Sequence, residues 1–165
     1  LFDDIKLPYE DGRMDDAEFV RAAMEATGFR GTAAEFETIW CEIFTQNDPM
    51  HARLEQLRGK LPLYLLSNTS GIHKDYFLRT FDIFRHFDDG VYSYSAGASK
   101  PGETIFQHTI AKFDLEPTKT FYVDDLLPNI ETAARLGFQT FHYSFDQHGQ
   151  FESKLAEWLE VQGIG

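Results

Sequence analysis

Two adjacent carboxylates, Asp124 and Asp125, directly follow an apolar and β-branched run at residues 120–123. Such a run predicts a buried strand, and open α/β sheets bind their ligands at the carboxyl ends of their strands. Because adjacent carboxylates repel each other, a fold keeps them together most readily where a cation neutralises them. The pair alone also fits an acidic turn that caps the following helix, so its meaning depends on the rest of the chain.

Two other segments offer polar groups that complement these acids. Ser67 and Asn68 follow the apolar run at residues 61–66, and Lys100 lies in a loop of small residues at positions 96–102. A serine hydroxyl with nearby backbone N–H groups can hold phosphate oxygens, a lysine can screen charge on a transferring phosphoryl group, and paired carboxylates can hold Mg²⁺. Each residue has a structural alternative: Ser67 could cap a helix, and Lys100 could be a solvated loop residue.

The elements around these residues predict how they are positioned. Apolar periodicity and capping signals indicate helices from Asp15 to Gly28, from Thr32 onward, and at residues 51–58, 72–80, 104–112, 128–137 and 151–161. Strands are expected at residues 61–66, 91–95, 120–124 and 139–143, and residues 1–12 are expected to be irregular. Strands that alternate with helices predict a parallel, doubly wound α/β sheet, whose strand-to-helix loops open on one edge. We therefore expect the three polar segments to converge there.

Composition narrows the classes of partner. The chain has 165 residues, of which 42% are hydrophobic, and its formal net charge is −12. This favours one folded domain with a small appendage and argues against nucleic acid and anionic membranes as partners, because binding them requires clustered Lys and Arg. An anionic small substrate remains possible where a cation lies in the site. The single cysteine, Cys41, cannot form an internal disulfide, which favours a buried thiol and a cytoplasmic location.

Three segments together resemble a known superfamily. Leu65-Leu66-Ser67-Asn68-Thr69, Ser99-Lys100-Pro101, and Tyr122-Val123-Asp124-Asp125 with Asn129 and Gly137 resemble the second, third and fourth motifs of the haloacid dehalogenase-like hydrolases. The similarity covers essentially the whole chain and is closest to sugar-phosphate phosphatases that act on glucose 1-phosphate. It implies a partial α-helical cap at residues 1–58 and a Rossmann-like α/β core at residues 59–165.

The resemblance also implies a reaction and its substrate contacts. It implies a phosphatase that hydrolyses a small phosphorylated metabolite through an aspartyl-phosphate. Ser67 would bind the transferring phosphate with Asn68 beside it. Lys100 would steady the nucleophile and the phosphoryl group.

The same resemblance implies a magnesium cofactor. Asp124 and Asp125 would place Mg²⁺, one of them through water, and Asn129 would support the loop that carries them.

The superfamily's first motif, an Asp-x-Asp at the end of a strand, has no match before Ser67. Asp3 follows an aromatic residue, but Ile5 stands where the second aspartate should be. We therefore expect roughly 30 to 45 further residues upstream, about one βα unit plus a helix. These would supply the nucleophile and a central strand between those ending at Ser67 and Asp124. Residues 1–165 alone are expected to be inactive.

Three alternatives remain open. A haloacid dehalogenase is disfavoured, because displacement of a halide needs no metal and dehalogenases of this superfamily do not keep two adjacent acids in the fourth motif. A phosphomutase would use the same groups to pass the phosphoryl group on. A catalytically inactive relative would instead bind a phosphate ligand or a protein partner.

Overall fold

The structure, a computed structural model, describes residues 3–164. Within that range the helices and strands are α1 (Asp3–Glu10), α2 (Asp16–Thr27), α3 (Ala33–Cys41), α4 (Asp48–Leu57), β1 (Tyr64–Ser67), α5 (Gly71–Thr80), β2 (Asp89–Tyr92), α6 (Ser93–Ala96), α7 (Glu103–Phe113), β3 (Phe121–Asp124), α8 (Leu127–Arg135), β4 (Gln139–His142) and α9 (His148–Gln162). Short 3₁₀ helices lie at Asp82–His86, Pro117–Lys119 and Phe145–Gln147. None of the described helices is long and apolar enough to cross a membrane.

The four strands form two parallel pairs. In the first pair Ser67 of β1 lies opposite Tyr92 of β2, and in the second Asp124 of β3 lies opposite His142 of β4. Parallel strands that alternate with helices confirm the predicted α/β class. Among residues 3–164 each sheet has two strands, and the central strand expected between those ending at Ser67 and Asp124 stays a prediction.

The predicted helix starts of α2 and α3 are confirmed, and each is a capping box. Asp15 accepts a hydrogen bond from the backbone N–H of Glu18 at 2.8 Å, and Glu18 accepts one from the N–H of Asp15 at 3.2 Å. Thr32 and Glu35 make the same exchange at 3.3 and 2.7 Å. Helix α2 ends at Gly28, which adopts a left-handed φ of 68°. These ends follow from local sequence alone.

The chain packs as two compact units. The first combines the chain up to Gln46 with Leu63–Ser99, and the second combines Asn47–Pro62 with the chain from Lys100 onward. Helix α4 therefore groups with the second unit, although it lies in the predicted cap. The division into a cap at residues 1–58 and a core at residues 59–165 stays a prediction.

The first unit has an aromatic core that explains one wrong expectation. Residues 1–12 were expected to be irregular, but residues 3–10 form α1. Tyr9 in this helix is 2% exposed and stacks on Phe19 at 4.1 Å, and Ile5, one turn earlier, packs against the same cluster. Burial against the following helix, α2, overrides the weak local helix preference of this acidic segment.

Helix α3 packs against the core through only some of its apolar residues. Phe36 is buried and Trp40 packs against the core, but Ile39 is 56% exposed and Ile43, beyond the helix end, is 65% exposed. Cys41 is buried, as predicted. The apolar surface of this segment is therefore only partly buried.

The side chain of His73, in α5, is buried. Its ring stacks on Trp40 at 5.0 Å, and its Nε2 lies 3.0 Å from the Trp40 carbonyl oxygen. Burial lowers the pKa of His73, which favours the neutral ring. His73 is thus a core contact between α3 and α5.

The strand predicted at residues 91–95 ends earlier than expected. Strand β2 stops at Tyr92, and Ser93 begins the short helix α6. The Ser93 hydroxyl donates to the Glu10 carbonyl oxygen at 2.7 Å and accepts from the Thr69 N–H at 3.0 Å. These contacts to distant segments turn the chain where local sequence favours continued extension.

The second unit is built around β3 and β4. Phe106 of α7 is fully buried and meets Phe138 at 6.4 Å on one side of the sheet. On α9, Leu155 is buried and the Trp158 ring lies 5.5 Å from the Phe121 ring. This packing fixes β3, the strand that ends at the paired acids.

Candidate active site

The paired acids differ in environment. Asp124 is the last residue of β3 and only 8% exposed, whereas Asp125 begins the turn to α8 and is exposed. The β-branched and aromatic residues before them explain the strand, and Pro128 in the first turn of α8 helps to start the helix. The local sequence therefore delivers one buried and one exposed carboxylate to the carboxyl end of the sheet.

Four donors surround the Asp124 carboxylate. Its Oδ2 accepts from Lys100 Nζ and from the Tyr122 hydroxyl, each at 2.6 Å. Its Oδ1 accepts from the Leu126 backbone N–H and from Asn129 Nδ2, each at 2.9 Å. Since an ionised carboxylate offers about four acceptor positions, hydrogen bonds from this unit fill the capacity of Asp124.

Lys100 and Asp124 form a buried ion pair. Their side chains are 10% and 4% exposed, so little water screens the contact. Burial would raise the pKa of Asp124, but the Lys100 ammonium and the hydrogen bonds from Lys100, Tyr122 and the Leu126 N–H lower that pKa below its ordinary value. Asp124 is therefore held as a carboxylate at neutral pH.

Asn129 lies where the resemblance places a supporting residue. It is 2% exposed on α8, and its amide group bonds Asp124 at 2.9 Å. Three of the sequence-predicted site residues, Lys100, Asp124 and Asn129, thus meet in the second unit. Their contacts are observed, and the catalytic roles given to them stay predictions.

Asp125 takes no part in that cluster through its carboxylate. Its backbone carbonyl lies 2.9 Å from Nε2 of His142, and its side chain is exposed. Among residues 3–164 no group of three His, Cys, Asp or Glu side chains is arranged to hold a metal ion. The assignment of Asp124 and Asp125 to a metal ion stays a prediction.

Ser67 and Asn68 lie in the first unit, at the carboxyl end of β1. The next residue, Thr69, is buried and held by Ser93, and Ser70 begins α5 by accepting from the His73 N–H at 3.4 Å. It is Ser70, and not Ser67, that caps this helix. The meeting of Ser67 and Asn68 with Lys100 and Asp124 stays a prediction.

Tyr122 is a member of the cluster that sequence reasoning missed. The sequence places it in the strand and in the fourth motif without giving its side chain a role, yet its hydroxyl donates to Asp124. Side chains at i and i+2 of a strand point to the same face, so this spacing was a usable signal. Burial and the hydrogen bond to Asp124 raise the pKa of Tyr122 far above its ordinary value, which keeps its hydroxyl a donor.

Comparisons with known proteins identify related sequences. The family model for haloacid dehalogenase-like hydrolases matches residues 9–137. A D-ribitol-5-phosphate phosphatase from Bacteroides thetaiotaomicron is 30% identical over 139 residues, which cover 80% of this chain and 68% of that protein.

Solved structures give the same result. A HAD family enzyme from Bacteroides thetaiotaomicron, in complex with magnesium and inorganic phosphate, matches with a TM-score of 0.77 and 27% identity over 85% of this chain and 74% of its own. A predicted HAD-like hydrolase from Porphyromonas gingivalis matches with a TM-score of 0.72 and 29% identity over 83% of this chain and 70% of its own.

These findings define an α/β protein of the hydrolase class whose polar cluster lies at the carboxyl end of a parallel strand. The chain belongs to the haloacid dehalogenase-like hydrolase family. The resemblance based on three sequence motifs is confirmed, and so is the closeness to phosphatases of the sugar-phosphate type.

Proposed function

We propose that this hydrolase is a Mg²⁺-dependent phosphatase that acts on a small phosphate monoester, such as a sugar phosphate or sugar-alcohol phosphate. The observation that carries the proposal is the buried Lys100–Asp124 pair beside the exposed Asp125 at the end of β3. Support comes from the relative that is a D-ribitol-5-phosphate phosphatase and from the solved relative that binds magnesium and inorganic phosphate.

The residues of this edge suit Mg²⁺. This ion takes oxygen ligands, keeps several waters, and usually uses one or two carboxylates together with substrate phosphate oxygens. Because four donors already occupy Asp124, we assign direct coordination to the exposed Asp125 and a water-mediated contact to Asp124. When bound, the ion would neutralise charge on the phosphoryl oxygens.

The remaining roles fall to the chain's own polar groups. Ser67 and Asn68 would bind phosphate oxygens at the end of β1. The Lys100 ammonium would turn from Asp124 to a phosphoryl oxygen as negative charge grows there. Asn129 would hold the Asp124 carboxylate in place while Lys100 moves, since its amide bonds the other oxygen.

The nucleophile is proposed to be an aspartate upstream of this chain, with an aspartyl-phosphate as intermediate. No Asp-x-Asp sequence precedes Ser67. The cytoplasmic location and the lack of nucleic-acid or membrane partners stay predictions from charge and cysteine content.

Phosphate release tests the proposal directly. The full-length protein should release inorganic phosphate from D-ribitol 5-phosphate, from sugar phosphates or from an aryl phosphate, and only with Mg²⁺ present. Lys100→Ala and Asp124→Asn should each lower the rate by about 100-fold or more, as loss of one electrostatic stabiliser does. Lys119→Ala is the matched control, because Lys119 pairs with Glu116 at the surface.

Each of three outcomes would contradict one part of the proposal. Full activity in Lys100→Ala would contradict the assigned roles. Turnover by residues 1–165 alone would contradict an upstream nucleophile. Phosphate binding without release by the full-length protein would favour the inactive, ligand-binding relative.

A further inference from the structure

The Tyr122 side chain is fixed beside the ion pair. Its ring lies on the same face of β3 as Asp124 and packs edge-on against Phe106 at 5.4 Å and against Phe138 at 6.0 Å. Its hydroxyl donates to Asp124 Oδ2 at 2.6 Å. Contact with these two rings restricts the Tyr122 side chain, so its hydroxyl stays directed at the carboxylate.

Tyr122 and Lys100 share a single acceptor atom. Lys100 Nζ donates to the same Oδ2 at 2.6 Å and lies 6.0 Å from the centroid of the Tyr122 ring. Two donors on one oxygen compete for the same negative charge, so each is bound less strongly than it would be alone. The fixed phenol therefore weakens the hold of Asp124 on the long, rotatable lysine.

We propose that Tyr122 is a positioning residue that weakens the Lys100–Asp124 ion pair and thereby keeps the Lys100 ammonium available to a phosphate oxygen. The phosphate part of this inference rests on the proposed function. The part about the ion pair rests only on the contacts within the second unit.

A purely structural role for the hydroxyl predicts a different change in the Lys100–Asp124 coupling. If the phenol only satisfied its own hydrogen bond, its removal would leave the Lys100–Asp124 coupling unchanged or would loosen it together with the local packing. A positioning role predicts that the coupling becomes stronger when the hydroxyl is removed, because Lys100 then has Oδ2 to itself.

A double-mutant cycle, carried out in the absence of metal ions, measures whether the Lys100–Asp124 coupling becomes stronger or weaker. Urea unfolding in a chelating buffer gives the coupling between Lys100→Met and Asp124→Asn, first in the native sequence and then with Tyr122→Phe. We expect the coupling constant to rise by about threefold or more, within the range of interaction energies seen for residues in contact. Tyr76→Phe is the control, because the Tyr76 hydroxyl makes no hydrogen bond among residues 3–164, and it should leave the coupling unchanged. An unchanged or weaker coupling with Tyr122→Phe would overturn the inference.

Binding of inorganic phosphate, measured by titration calorimetry on the full-length protein with Mg²⁺, tests the functional part. Tyr122→Phe should weaken phosphate binding by about threefold, and the effect should vanish in the presence of Asp124→Asn, because the phenol acts through that carboxylate. Equal phosphate affinity of the native protein and Tyr122→Phe would overturn the functional part. If the coupling rises but the native protein binds no phosphate, the proposed function fails while the weakening of the ion pair by Tyr122 stands.

Discussion

Removing the Lys100 charge should destabilise the second unit, because it leaves the buried Asp124 carboxylate without its cation. Lys100→Met keeps most of the aliphatic stem and removes only the ammonium group. The two side chains are 10% and 4% exposed, so the carboxylate left behind stays out of water. Removing one partner of such a buried pair typically costs about 3–5 kcal/mol of stability.

The remaining contacts of Asp124 bring the expected cost to the bottom of that range or just below it. Tyr122, the Leu126 N–H and Asn129 still donate to the carboxylate after Lys100 is gone. We therefore expect a loss of about 2–3 kcal/mol, because these charge-assisted hydrogen bonds compensate part of the buried charge. For a chain of this size that corresponds to a fall in Tm of about 5–10 °C.

The loss should depend on pH with a defined sign. The pKa of Asp124 is lowered in the folded state, so its contribution to stability is fully present above the unfolded pKa of about 3.9 and is lost as the pH falls through the folded pKa. Without the Lys100 charge and hydrogen bond, the pKa of Asp124 rises above its value in the native protein. The destabilisation by Lys100→Met should therefore be largest at neutral pH. It should shrink as the pH falls, first through the raised pKa of Asp124 in the variant and then through the lowered pKa of Asp124 in the native protein.

Urea unfolding followed by circular dichroism between pH 3 and pH 7 provides the measurement. Lys119→Met is the matched control, since Lys119 is 64% exposed and its surface pair with Glu116 should contribute little to stability. A loss below about 1 kcal/mol for Lys100→Met, or one that does not change with pH, would refute the reasoning from the buried pair.

Two substitutions in the first unit test its packing. Gly12→Ala should cost at least about 2 kcal/mol more stability than Gly28→Ala, measured by urea unfolding. Both glycines have left-handed φ values. A Cβ on Gly12 would lie 1.9 Å from the Tyr94 carbonyl oxygen, whereas a Cβ on Gly28 would meet nothing within 4 Å. Equal costs would show that the left-handed φ alone, and not the contact with Tyr94, sets the loss of stability. Ser93→Ala should cost about 1–3 kcal/mol because it leaves a buried N–H without its acceptor, while Ser95→Ala, which removes an exposed hydroxyl, should stay within about 0.5 kcal/mol. Similar losses for the two serine variants would contradict this account.

The features that the sequence predicted well are those set by neighbouring residues. The capping boxes at Asp15 and Thr32 and the left-handed end of α2 at Gly28 need only a few consecutive residues. Strand β3 is similar, since a run of aromatic and β-branched residues defines it. The pair of Lys100 with Asp124 was expected from topology, because loops of parallel strands open on one edge.

The features that the sequence did not predict depend on contacts between distant residues. Helix α1 forms because Tyr9 packs on Phe19, and β2 ends early because Ser93 bonds two other segments. The burial of His73 requires Trp40 from another helix. The Tyr122 hydrogen bond could have been suggested by the i, i+2 spacing, but only its packed ring fixes the direction of the hydroxyl.

The contacts of the first unit connect the proposed phosphate-binding loop to helix α1. The Tyr9 hydroxyl accepts from the Ile72 N–H at 3.3 Å, and Ser93 joins the Glu10 carbonyl oxygen to Thr69. These bonds hold both sides of the segment that follows Ser67 and Asn68. A shift of α1 would therefore displace the backbone just beyond Ser67, because hydrogen bonds hold this segment at Thr69 and at Ile72. On this basis, a substitution in α1 that moves Tyr9 should also change the backbone position of the loop after β1.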